Sequence, residues 1–112
     1  MITDRIFCHP VTFGGSIEKG KPYSNFKDAI KSQLRENIDS EVNLKITLFI
    51  QEDRVKEGSN DLDNFLKPII DSLDETNTIK SESQICSIFI KREKVKTSEE
   101  ESVIIELISE ND

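Results

Sequence analysis

The sequence predicts an α+β fold: two helices packed on a small mixed β-sheet, in the order β-α-β-α-β-β. Two patterns carry the prediction. Alternating apolar residues mark strands, most cleanly Val42, Leu44, Ile46, Leu48 and Ile50. Apolar residues three and four apart mark two helices, one around Phe26–Ile38 and one around Leu62–Leu73. Length sets the scale: 112 residues, 35% of them hydrophobic, supply one modest core and leave no room for two ordinary domains.

Thr3 to His9 reads as a short strand stopped by Pro10. Residues 10 to 22 hold Pro10, Gly14, Gly15, Gly20 and Pro22 and read as a loop. The first helix starts near Ser24. Phe26, Ile30, Leu34 and Ile38 make one face, and Lys27, Lys31 and Arg35 repeat the same spacing beside it. Strand two spans Val42 to Ile50, and a polar segment to Asn60 follows. In the second helix Leu62, Phe65, Leu66, Ile69, Ile70 and Leu73 keep helical spacing. Pro68 is tolerated only near a helix start, so the regular helix is expected to begin between Asn64 and Lys67, with Asp61 to Asp63 extended. Gln84 to Lys94 reads as strand three, with Cys86, Ile88 and Ile90 on one side and Ile85 and Phe89 on the other. Val103 to Ile108 reads as strand four, apolar in part on both faces. The expected organisation is a core over 1–96, continued in the same domain by an acidic C-terminal strand and tail over 97–112.

Composition narrows the function classes. No apolar run approaches the ~20 residues a membrane span needs. The N-terminus lacks the apolar stretch of a signal peptide. Two cysteines, Cys8 and Cys86, make no disulfide scaffold and read as buried small hydrophobes. These features point to a soluble, reduced, cytoplasmic domain with no membrane partner. His9 is the only histidine, which excludes a zinc cluster built on several; at a strand end before Pro it reads as structural. The net charge of −7 is uneven: residues 1–60 are neutral, 61–96 carry −1 and 97–112 carry −6. The body therefore retains basic groups suited to phosphate contact, Lys19, Lys21, Lys27, Lys31 and Arg35 and then Lys91, Arg92, Lys94 and Lys96. Each of these taken singly is also an ordinary solvated charge.

The chemistry gathers around the second helix. Asp61 and Asp63 are two apart, Lys67 lies one helical turn on, and Glu82 opens strand three. In extended chain the two Asp carboxylates point the same way and can reach one hard cation. Glu82 meets them if strand three enters the sheet beside the start of that helix. Such a set suits metal-assisted phosphodiester hydrolysis, with Lys67 neutralising charge in the transition state. Each residue also has a plainer explanation: Asp as a helix cap, Lys67 as an i,i+4 partner of Asp63, Glu82 as a loop acid.

The run Asp61-Leu62-Asp63-Asn64, then Lys67, Asp71 and Leu73, followed by Ser83-Gln84-Ile85 opening a strand that ends in Lys91-Arg92, closely resembles the RusA family of Holliday junction resolvases. That family shows D-x-D-N-x-x-K-x-x-x-D-x-L, a short loop, and D-D-x-Q before an apolar strand. The resemblance implies a homodimeric endodeoxyribonuclease of DNA recombination and repair, cutting four-way junctions with Mg²⁺ (or Mn²⁺) and needing no small-molecule cofactor. It implies catalytic roles for Asp61, Asp63, Glu82 and Lys67, with the three acids as metal ligands. Against such a substrate the basic residues Lys19, Lys21, Lys27, Lys31, Lys91, Arg92 and Lys94 are the expected DNA contacts. The D-D-x-Q segment departs from the pattern, reading Ser81-Glu82-Ser83-Gln84. Two alternatives follow: a relative that binds DNA with weakened catalysis, or a non-enzymatic accessory protein that keeps the fold and uses its acidic tail as a contact.

Overall fold

A computed structural model of the chain describes residues 2–11, 21–54 and 62–109. The main elements follow the expected order: β1 (Ile2–Phe7), α1 (Lys21–Gln33), β2 (Val42–Gln51), α2 (Asp63–Glu75), β3 (Ile85–Val95) and β4 (Ser102–Ser109). Among the described residues, 3₁₀ turns at Glu52–Arg54, Glu82–Gln84 and Ser98–Glu100 are added between them. Most of the first loop, the polar segment from residue 55 to Asp61, and residues 110–112 of the acidic tail lie outside the described residues.

The strands form one mixed sheet in the order β1-β4-β2-β3. β4 runs antiparallel to both neighbours, and β3 pairs parallel with β2. β1, β2 and β3 therefore share one direction. The acidic C-terminal segment supplies an inner strand: Val103, Ile105 and Leu107 are buried between β1 and β2. Alternation sends Leu44, Ile46, Leu48 and Ile50 to the same side, where they meet Phe26, Ile30 and Leu34 following from α1 and Phe65, Ile69 and Leu73 of α2.

Register leaves the opposite side of the sheet to Arg5 and Phe7 on β1, Ile104 and Glu106 on β4, Lys45, Thr47 and Phe49 on β2, and Phe89 and Lys91 on β3. Phe7 and Phe89 are exposed there. The Arg5 guanidinium stacks 5.4 Å from the Phe7 ring and 4.7 Å from that of Phe49, and Lys45 Nζ lies 5.8 Å from the Phe89 ring.

Four expectations need correction. Helix α1 begins at Lys21, ahead of Ser24 and with Pro22 in its first turn, and ends at Gln33, so Leu34 and Ile38 lie beyond it. β3 carries a bulge: Val42 pairs with Ile85 but Asn43 with Ser87, so Cys86 is the extra residue. The slip puts Ile85 on the core side with Ile90, away from Phe89. It also leaves Cys86 exposed, its thiol donating to Glu41 Oε2 at 3.0 Å; only Cys8 is partly buried. Helix α2 begins at Asp63, and Leu62 already has helical angles (φ −58°, ψ −38°), so Leu62 and Asp63 are not extended. Pro68 consequently sits inside the helix, where it forfeits the bond to the carbonyl of Asn64, an exposed residue that water can reach.

Both helices end near the start of β2. Ile38, after α1, donates its N–H to Thr78 O at 2.8 Å and bridges Ile79, just after α2. Their N-terminal halves accordingly lie toward the carboxyl ends of β1, β2 and β3. A pocket of about 330 Å³ joins Cys8, His9 and Val11, beyond β1, to Asn25, Phe26 and Ala29 of α1. Among the described residues no helix is long and apolar enough to cross a membrane.

Candidate active site

The carboxyl ends of β1, β2 and β3 lie at one end of this mixed sheet, and a helix N-terminus there presents free N–H groups and partial positive charge that favour anionic ligands. Asp63 stands there as the first residue of α2, with an exposed side chain. Lys67 follows one turn later. Its Nζ lies 3.2 Å from Asp71 Oδ1, so its i,i+4 partner is Asp71, ahead of it, and not Asp63. Asp61 lies outside the described residues.

Register sorts the basic residues. Arg92 and Lys94 pair with Leu48 and Ile50, which puts them on the helix-bearing side of β3 near its carboxyl end. Lys91 pairs with Thr47, on the opposite face, and its Nζ lies 3.4 Å from Glu93. Lys27 and Lys31 converge on Glu75 at 2.6 and 3.1 Å. Their hydrogen bonds hold the Glu75 carboxyl below its ordinary range, and the two lysines share that one carboxylate. Lys19 lies outside the described residues, as does the side chain of Lys21.

Glu82 is elsewhere. β3 enters the sheet beside the start of β2, which is the end of α2 and not its beginning. Asp63 to Glu75 spans roughly 18 Å at ~1.5 Å per residue, and Glu82 lies beyond that far end. The turn around it has a structural reason. Ser81 Oγ accepts from Ser83 N–H at 3.2 Å, while Gln84 Oε1 accepts from the backbone of Lys80 and Ser81 at 2.6 and 3.1 Å. Gln84 Nε2 donates to Ile38 O and Ser40 O at 2.8 and 3.0 Å, pinning the start of β3 to the lead-in of β2. Within one protomer the structure thus brings Asp63, Lys67, Arg92 and Lys94 to one side and one end, and leaves Glu82 apart. Among the described residues no three of His, Cys, Asp and Glu gather closely enough to hold a metal.

The family model for endodeoxyribonuclease RusA matches residues 14–108. The chain belongs to the RusA family. That membership makes it one of the Holliday junction resolvase nucleases, a family whose members act on branched DNA and typically depend on a divalent metal. A comparison with curated proteins found no match. The donor chemistry suits such an ion: Asp63, with Asp61 two residues before it, offers hard carboxylate oxygens to a cation that keeps much of its water.

One pair escaped the sequence reading. His9 Nδ1 lies 2.8 Å from Glu101 Oε1, a contact 92 residues apart in the chain. Glu101 is buried at 2% exposure, and its second oxygen accepts the Gln51 N–H at 2.8 Å. Burial first, and the Glu101 charge second, push the neighbouring Cys8 thiol up to about 12. No local motif announces this cluster; it exists because the ends of β1 and β2 flank the start of β4.

Proposed function

We propose that this RusA-family protein resolves four-way DNA junctions by metal-dependent phosphodiester hydrolysis, in DNA recombination and repair in the cytoplasm. One observation carries the reading: Asp63 and Lys67 occupy successive turns at the start of α2, at the carboxyl end of the sheet, with Arg92 and Lys94 on the same side of it. Asp61 and Asp63 would hold Mg²⁺ or Mn²⁺. The bound ion supplies Lewis-acid activation of the phosphate and lowers the pKa of water. Lys67 neutralises charge that develops on the phosphoryl oxygens, and Arg92 and Lys94 fix the phosphate backbone. Glu82, beyond the far end of α2, takes no part in this site. Incubating the protein with synthetic four-way junctions and Mg²⁺ or Mn²⁺ tests the reading. Paired symmetric nicks that Asp63→Asn abolishes are expected; an uncut junction, or equal cutting by Asp63→Asn, refutes it.

The working unit in this reading is a two-fold pair, which presents two copies of one site to two opposed strands. The sheet face opposite the helices suits the contact. Lys45 and Glu106 are cross-strand neighbours on the two inner strands, so a two-fold axis running between those strands sets each Lys45 against the partner's Glu106. Lys45→Glu should yield monomers in sedimentation, and Lys45→Glu with Glu106→Lys in the same chain should restore the dimer. A dimer untouched by Lys45→Glu rules this face out.

A junction binder without cleavage is favoured by the distance between Glu82 and Asp63, and the same assay separates it. Of the acidic segment, Glu101 and Glu106 are built into the sheet region, and Glu99 and Glu100 stay exposed.

A further inference from the structure

A carboxylate taken out of water keeps its charge only if hydrogen bonds replace the lost hydration. The Glu101 side chain is 1% exposed, whereas that of His9 is 68% exposed. The buried acid reaches out to a histidine at the surface. A carboxylate accepts and does not donate, so Nδ1 of His9 carries the shared proton, and in the neutral ring Nε2 keeps its lone pair. The ring is anchored from both sides. Pro10 follows it, buried, which restricts His9 to extended backbone, and Gln51 fixes the other oxygen of Glu101 from the end of β2. This oriented imidazole stands at the carboxyl end of the sheet, the end at which α2 begins with Asp63.

A surface imidazole whose tautomer is set by a buried acid is the arrangement of a general base held ready. A purely mechanical clasp between β1, β2 and β4 has no need of an open nitrogen. We propose that His9 accepts the proton of the attacking water in phosphodiester hydrolysis, with Glu101 as its positioning residue. The role rests on the nuclease reading above. The step balances without oxidant or reductant. The water oxygen bonds to phosphorus as its O–H proton passes to Nε2. The bond from phosphorus to the leaving deoxyribose oxygen breaks, and that oxygen takes a proton from solvent. The imidazolium then returns its proton to solvent.

The test is single-turnover cleavage of a four-way junction with Mg²⁺, comparing wild type, His9→Ala, His9→Gln, Glu101→Gln and Asp63→Asn. His9→Ala removes one hydrogen bond from the buried Glu101, whereas His9→Gln keeps a donor there; melting curves of both variants check that the fold is retained. Loss of a general base lowers the rate by about 100-fold or more in both His9 variants, with junction affinity in Ca²⁺ unchanged. Added imidazole restores a measurable part of the rate to His9→Ala and none to Asp63→Asn. In ¹⁵N spectra the single imidazole carries its proton on Nδ1, and Glu101→Gln shifts it toward Nε2. Cutting by His9→Ala at the wild-type rate, a null response to imidazole, or a wild-type proton on Nε2 overturns the role while the nuclease stands. Wild type that cuts no junction brings down the nuclease reading and this role together.

Discussion

Replacing Ile105 by Ala tests the placement of β4. Ile105 is 1% exposed, in the middle of a strand bonded on both sides. The change deletes three carbons, at about 0.8 kcal/mol per buried methylene, or about 2.4 kcal/mol of transfer energy. A rigid surround leaves a cavity that raises the loss to roughly 3–4 kcal/mol. Ile88 offers a control of identical chemistry: it lies on the edge strand β3 and is 43% exposed. Ile88→Ala removes about half as much burial and opens to water, so its cost is about 1 kcal/mol. Urea unfolding followed by circular dichroism separates the two. With a slope of about 1.5 kcal/mol/M, the midpoint falls by about 2 M for Ile105→Ala and by less than about 1 M for Ile88→Ala. Equal shifts, or a larger one for Ile88→Ala, would refute the inner position of β4.

Other consequences are open to simpler measurements. Gln84→Ala removes the clamp that joins β3 to the lead-in of β2 and should cost about 1–3 kcal/mol, seen as a lower melting temperature with the fold retained. Glu75→Gln should cost about 0.5 kcal/mol at neutral pH, because both lysine partners and the acid reach solvent. The Glu75 carboxyl is depressed in the folded state, so its contribution is present above the ordinary carboxylate range and disappears as pH falls through the folded value; wild type and variant should converge in acid. At pH 8 iodoacetamide should label Cys86 and spare Cys8, whose thiol stays protonated up to about 12, giving one label natively and two in urea by mass spectrometry.

Period two in β2 and period four through α1 are legible in the sequence because each element buries one continuous face, and burial demands that repetition. β3 was read with its sides confused because a bulge adds one residue to the strand, a slip that alternation alone does not reveal. The start of α2 was misplaced because Pro68 argued for a later beginning, while tertiary burial of Phe65, Pro68 and Ile69 outweighed the local penalty. At the candidate site, Asp63 and Lys67 are singled out by the D-x-D-N-x-x-K pattern, although Asp63 is expected in extended chain and stands instead as the first residue of α2. The separation of Glu82 was not legible, since it depends on which end of the sheet β3 enters. The His9–Glu101 pair was invisible for the same reason: neighbours that strand order alone creates leave no trace in local spacing.

β4 also governs when the molecule can assemble. It is translated after every other strand, yet it alone joins β1 to β2, and Phe7 must wait for Ser102. Until then the nascent chain holds unpaired backbone edges on β1 and β2, open to other chains. Such long-range closure slows folding. During synthesis the hazard is aggregation on the ribosome, and it passes only when the last strand emerges.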